Sequence, residues 1–227
     1  MATRNPLNIG AAARAMSNFG FTRLRVVNPY DIAWREARSA VGASDVLARA
    51  ELCDCLADAV ADCTLVVGTT AARQRKPSQP LRPLAAGTRL IRAQLQSGPV
   101  ALLFGSEKRG LSNVDFSHCH WLLRIPTREE HGSMNLGQAV AVCLYELARG
   151  KAASPPAKIK PARAGEVERL TQLLLQILTD SGYLKPGATS SAEEKVRRLV
   201  RRLCIPAEDA DTWMGMLRQI LWKVRSA

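Results

Sequence analysis

Apolar residues recur along this chain in two rhythms. Over residues 8–19, Ile9, Ala12, Ala13, Met16 and Phe19 share one face at helical spacing and Gly20 supplies a stop, so the pattern predicts a helix. Residues 24–27, 64–68, 100–104 and 121–125 are short, almost wholly apolar runs, which predict strands buried on both faces. Helical patterns over residues 45–61, 84–96 and 136–148 alternate with them. That alternation predicts an α/β fold: a mostly parallel sheet with helices on both faces.

The pattern changes after residue 149. Residues 150–165 read GKAASPPAKIKPARAG, a composition that predicts a linker over 150–164 between a domain of residues 1–149 and an extension of residues 165–227. The extension is helical throughout. Leu170, Leu173, Leu174, Ile177 and Leu178 form an apolar stripe, Ser190 and Glu193 have capping-box spacing, and Pro206 opens a last helix reaching about residue 224. A small, basic, three-helix domain is expected.

Charge narrows the choice of partner. The net charge is +12, and the excess is densest in the extension: 18 Lys/Arg against 12 Asp/Glu up to residue 150, then 14 against 8 in the shorter remainder. Such a surface favours polyanions through counterion release, nucleic acid ahead of anionic membranes or acidic proteins. No apolar run approaches the roughly 18 residues of a membrane span, and no secretory signal pattern opens the chain, so a cytoplasmic location is expected. Six cysteines without a C-x-x-C pair read as free thiols. Cys119 between His118 and His120 invites a metal reading, but the apolar run behind it reads as a buried strand, and no metal is expected.

Three separated segments carry the candidate chemistry. The first holds Asn8 and Arg14 at the start of a helix, where Asn8 also reads as a plain N-cap and Arg14 as a solvated residue. The second, Gly105-x-Glu107-x-x-Gly110, follows an apolar strand; it fits a ligand-approaching loop or an ordinary strand-to-turn connection. The third runs from Ile125-Pro126 to Ser133-Met134-Asn135-Leu136 at a helix start, with two candidate caps side by side, one of them free for another task. There is no phosphate-cradling G-x-x-x-x-G-K-[ST] and no G-x-G-x-x-G, so nucleotide hydrolases and dehydrogenases lose support.

Taken jointly, N-x-G-x-x-x-R, F-G-x-E-x-x-G-L and I-P…S-x-N-L resemble the three motifs of the SPOUT superfamily of knotted RNA methyltransferases. The match is to its TrmH-like branch of ribose 2′-O-methyltransferases. G-A-A-A-R-A-M, Gly68-Thr69-Thr70-Ala71, S-M-N-L-x-Q-A-V and the helical tail resemble the TrmJ subgroup more narrowly. The resemblance implies a trefoil knot in the sheet and S-adenosylmethionine as cofactor, held by Thr69, Thr70, Gly105, Glu107, Ile125, Ser133, Met134 and Leu136. It implies Arg14, Asn8, Glu107, Ser133 and Asn135 as catalytic residues. The substrate it implies is tRNA at ribose 32 of the anticodon loop, gripped by Arg14 and by Arg197, Arg198, Arg201 and Arg202 of the tail, in a homodimer. A different tRNA position, ribosomal RNA, or a catalytically silent RNA-binding protein are the alternatives. In one respect the chain departs from the family. Only Met1-Ala2-Thr3-Arg4 precedes Asn5, too little for the strand members carry there, so a displaced start or a sheet lacking one strand is expected.

Overall fold

A computed structural model of the chain describes residues 1–39, 45–71, 77–128, 130, 133–149, 160–185 and 190–226. The first helix, α1 (Pro6–Asn18), begins earlier than the apolar spacing predicts. Asn5 caps it by accepting the Leu7 N–H at 3.0 Å, and Pro6 takes the first helical position, where a missing N–H costs nothing. Asn8 is therefore not the cap. It lies inside the first turn, buried, with its side chain available to other partners.

There follow β1 (Arg25–Val27), α2 (Asp31–Ser39), α3 (Asp45–Ala48), β2 (Glu51–Cys53) and α4 (Leu56–Val60). The single helix predicted over residues 45–61 is thus interrupted by a strand. Residues 51–53 pair in parallel with β1, and Cys55 caps α4 by accepting the Asp58 N–H. β2 has Glu51 and Leu52 exposed, so pairing and not an apolar pattern makes it a strand. The remaining elements are β3 (Leu65–Thr69), β4 (Leu81–Pro83), α5 (Leu84–Leu95), β5 (Val100–Leu103), α6 (Asn113–Ser117), β6 (Trp121–Arg124) and α7 (Leu136–Ala148).

Among the described residues all strand pairs are parallel, in a four-stranded sheet of order β4-β6-β3-β5 and a separate pair β1-β2. β3 lies between β5 and β6, which accounts for its unbroken Leu65-Val66-Val67. Alternate residues feed two cores. Val67 and Leu123 pack with Ile91, Val140 and Cys143 under α5 and α7, whereas Val66 and Leu122 pack with Leu56, Val60 and Phe116 under α4 and α6.

The one sheet expected is therefore two. A cavity of about 470 Å³ separates them, lined by Val27 of β1, Leu103 of β5, Ile9 of α1, Val60 of α4 and Val140 and Leu144 of α7. Residues 1–4 form no strand but tie the two sheets at their carboxyl ends. The Met1 ammonium donates to the Phe104 carbonyl at 3.1 Å and the Ala2 N–H to the Val27 carbonyl at 2.9 Å.

In the extension, α8 (Ala164–Asp180) packs against both α9 (Ser190–Arg202) and α10 (Ala207–Arg225). Their shared core holds Leu170, Ile177, Val200, Met214, Leu217 and Leu221. Of the segment expected to be a linker, residues 150–159 lie outside the described residues. Pro161 bridges Pro206 and Ala162 is buried, so both belong to the helical unit. The start of α8 sits on the α4–β3 turn. Its Ala164 and Gly165 N–H groups donate to the Cys63 and Ala61 carbonyls at 2.7 and 2.9 Å. A Cβ at Gly165 would lie 3.1 Å from the Ala61 oxygen, so the residue's small size admits this approach.

Candidate active site

Because β3, β5 and β6 are parallel neighbours, their carboxyl ends open on one edge, where open α/β sheets place ligands. Thr69 and Thr70 leave β3, Phe104 and Gly105 leave β5, and Ile125 leaves β6. Thr69 Oγ1 donates to the Leu103 carbonyl at 2.8 Å and the Thr70 N–H to the Leu123 carbonyl at 3.0 Å, so the β3 loop is fastened to both neighbours. The β5 loop doubles back through a bridge between Ser106 and Gly110. Two glycines permit that turn: Gly110 has φ +65°, and a Cβ at Gly105 would overlap the backbone of Gly110 and Leu111. Thr69, Thr70, Gly105, Ile125, Met134 and Leu136 are half-buried, and Ser133 is exposed.

Three side chains, one from each motif, join in a single relay. Asn8 Nδ2 donates to Glu107 Oε1 at 3.0 Å. Asn135 Nδ2 donates to Asn8 Oδ1 at 2.9 Å. Asn135 Oδ1 caps α7, accepting the Gly137 N–H at 2.9 Å and the Gln138 N–H at 3.4 Å. The ends of this relay set its direction. An ionised carboxylate only accepts and a helix N-terminus only donates, so each amide between them has one orientation. Burial pushes the Glu107 carboxyl up, but hydrogen bonds from Asn8 and from the backbone N–H groups of Glu107, Arg4 and Asn5 outweigh it. Glu107 is therefore held below the usual carboxylate range, a charged acceptor at neutral pH.

Residues 1–145 match the SpoU rRNA Methylase family. The chain belongs to that family. It is 36% identical over 222 residues to the tRNA (cytidine/uridine-2'-O-)-methyltransferase TrmJ of Yersinia pestis strain Pestoides F, covering 94% of this chain and 86% of that protein. The crystal structure of TrmJ from Z. mobilis ZM4 is similar at a TM-score of 0.82 and 32% identity, covering 96% of this chain and 95% of that one. A putative methylase family protein from Neisseria gonorrhoeae is similar at a TM-score of 0.63 and 30% identity, covering 75% and 90%.

The SpoU-family motifs thus meet in part within one chain. Asn8, Glu107 and Asn135 come together; Arg14 does not join them. It extends from an exposed face of α1, without a hydrogen bond or ion pair to the relay. His118, Cys119 and His120 diverge. His118 faces the extension, Cys119 lies in the core, and His120 Nδ1 accepts the Val66 N–H at 3.1 Å. Among the described residues no group of three or more His, Cys, Asp or Glu is placed to hold a metal ion.

The expected row of tail arginines is corrected for two of its four members. Arg197 and Arg201 are 7% and 3% exposed and sit between the extension and the catalytic domain. Arg197 donates to Glu168 of α8 through Nε at 3.1 Å and to Ser117 Oγ of α6 through Nη1 at 3.4 Å. Arg201 Nη2 and His118 Nδ1 lie 3.7 and 3.9 Å from Glu168. The cause is one carboxylate: burial pushes Glu168 up, but hydrogen bonds from Arg197 and Gln172 outweigh it and keep it charged. The face of α9 opposite Leu199 and Leu203 therefore turns inward with its cations. Arg198 approaches Glu194 at 3.9 Å, and only Arg202 of the four is exposed, donating to the Ser78 carbonyl at 2.7 Å. The signal available in sequence was Glu168, an acid in the helix that packs against α9.

Proposed function

We propose that this chain methylates the 2′-hydroxyl of a tRNA ribose, at nucleotide 32 of the anticodon loop. It is an RNA ribose methyltransferase of the SpoU family, and its methyl donor is S-adenosylmethionine. The observation that carries the reading is the relay Glu107–Asn8–Asn135 at the carboxyl ends of β5 and β6. The relatives at 36% identity over 94% of the chain, named for tRNA cytidine and uridine 2′-O-methylation, support tRNA as substrate.

The strand ends fit the donor by their chemistry. Thr69, Thr70, Gly105, Ile125, Met134 and Leu136 form a half-buried, uncharged lining that suits an adenine ring. When bound, the donor supplies a methyl group already activated on sulfur. The protein's task is the nucleophile, since a ribose hydroxyl is barely acidic at neutral pH. Asn135, locked by the relay, and Ser133 beside it orient that hydroxyl. Glu107 anchors the relay and the β5 loop. Arg14 carries a guanidinium, a poor proton acceptor, and stabilises the developing alkoxide and binds a phosphate. Since Arg14 stands away from the relay of its own chain, a second copy supplies it in a homodimer. The loops after β5 and β6 are proposed to thread the trefoil knot that closes the donor site, and Arg198 and Arg202 to meet tRNA phosphates.

The test is transfer of radiolabelled methyl from S-adenosylmethionine to unmodified tRNA transcripts, with wild type beside Arg14→Ala. Label mapped to ribose 32 and lost in the variant is expected. Label at another position sinks the assignment to nucleotide 32, and tRNA binding without any label sinks the enzyme reading. Ribosomal RNA is the second reading, favoured by the description of the matched family, and rRNA transcripts run in parallel decide it.

A further inference from the structure

We propose that Gly137 is a positioning residue: it sets the spacing of α1 and α7 that brings Asn135 within hydrogen-bond reach of Asn8. This rests on the relay being the active site. Gly137 is the second residue of α7 and is buried. A Cβ built there would lie 2.6 Å from the Ala11 Cβ on α1 and 3.3 Å from Asn135 Oδ1. Carbon atoms in contact stand about 3.5–4.0 Å apart, so a methyl group at position 137 forces the helices apart by about 1 Å.

That movement falls on the relay. Asn8 and Ala11 lie three residues apart on α1, and Asn135 and Gly137 two apart across the start of α7, so the contact and the hydrogen bond share the same two segments. The Asn135 Nδ2 to Asn8 Oδ1 distance is 2.9 Å, and 1 Å more removes the bond. The same Cβ crowds Asn135 Oδ1, which already accepts the Gly137 N–H at 2.9 Å. Backbone conformation does not call for glycine here. Gly137 has ordinary helical geometry, where alanine is the better helix former. Free space would make Gly137→Ala stabilising, so what glycine provides is proximity.

The experiment compares steady-state methyl transfer to tRNA by wild type, Gly137→Ala, Ala11→Gly and the double variant, with Tm measured for each. For Gly137→Ala the expected result is a kcat lower by about 10- to 100-fold. KM for S-adenosylmethionine is expected to change much less than kcat, because of the donor lining only Met134 and Leu136 lie at the displaced start of α7 while the loops after β3 and β5 stay in place. Adding Ala11→Gly makes room for the new methyl and is expected to restore most of the lost kcat relative to Ala11→Gly alone. An unchanged kcat in Gly137→Ala overturns the proposal. So does a loss that the double variant fails to recover, which would mark a general packing defect. Asn135→Ala separates the two levels: if it retains full activity the active-site reading itself fails, whereas an inactive Asn135→Ala beside a fully active Gly137→Ala defeats only the spacer.

Discussion

Glu107 and Glu168 each hold distant parts of the chain together, and they do so by opposite means. Glu107 works through neutral amides. Its relay spans from residue 8 to residue 135, each hydrogen bond is 2.9–3.0 Å long, and both amide orientations are dictated. Glu168 works through charge, gathering two buried guanidinium groups and an imidazole, and it leaves Arg201 Nε and Nη1 and His118 Nδ1 without a hydrogen-bond partner. A carboxylate attracts cations over a range of angles, so a seam between two structural units can tolerate such loose pairing at a cost in desolvation. Under the proposed function the relay orients a weak nucleophile, and angular tolerance is what such a site must avoid. The difference separates a cluster fixed in direction from one held mainly by charge.

Exchanging the charge in each cluster breaks this comparison most sharply. In Glu107→Gln the α7 N-terminus still orients both amides, but Asn8 Nδ2 and the backbone N–H groups around position 107 lose their charged acceptor, so the anchored end of the relay loosens. Single-turnover methyl transfer is expected to fall by about a hundredfold or more while urea unfolding shifts by no more than ~1 kcal/mol. Glu168→Gln should do the reverse. Two buried arginines lose their counter-charge, and the extension is expected to lose about 3 kcal/mol of stability, seen as early urea unfolding and faster proteolytic release. S-adenosylmethionine binding by the catalytic domain is expected to survive. If Glu168→Gln abolishes donor binding, the seam also helps to shape the site.

Acid sharpens the contrast. Burial lowers His118, with the neighbouring Arg197 adding to it, and lowers His120 to about 4, with Arg201 adding to it. Both are neutral in the folded chain, whereas an unfolded histidine protonates near pH 6.5. The unfolded state therefore takes up protons first, and stability falls as pH drops from about 6.5 toward 4, by up to roughly 3 kcal/mol from His120. The lowered carboxylates have the ordinary acid sign: their contribution is full above about 4.3 and is lost as pH falls through the folded values. Between pH 6.5 and 5 the histidines should weaken the fold while the relay keeps its charge. Urea titrations across that range are expected to show the slope in wild type and a shallower one in His118→Gln. The smallest effect is reserved for the rim. Arg202→Ala should raise KM for tRNA several-fold at unchanged kcat and reduce the salt dependence of binding by about one counterion.

Of the catalytic domain, α7 occupies the residues that periodicity assigned to it, and β1, β3, β5 and β6 fall within one residue of their apolar runs. These segments are buried on both faces or along a clean stripe, so composition alone marks them. β2 and β4 were not legible. Each is three residues long and largely exposed, and each is a strand because a neighbour pairs with it. α6 was missed for a related reason: five residues leave too short a record of period, although Ser112 and Asp115 form a capping box.

Among the site residues, the sequence singled out Asn8, Glu107 and Asn135 by type and spacing within their motifs. Their roles as links in one relay depend on a detail it read otherwise, that Asn5 caps α1 and releases Asn8. The chain alone also determined the parallel α/β class, the helical extension and the family, because these follow from local burial patterns and short motifs that each segment carries by itself. Tertiary structure alone decided that the strands divide into two sheets, that Arg197 and Arg201 turn inward, and that Gly137 presses against Ala11. Each of those outcomes depends on a partner tens of residues away, and neither the free energy of pairing a charge nor the room for a methyl group is defined until that partner is in place.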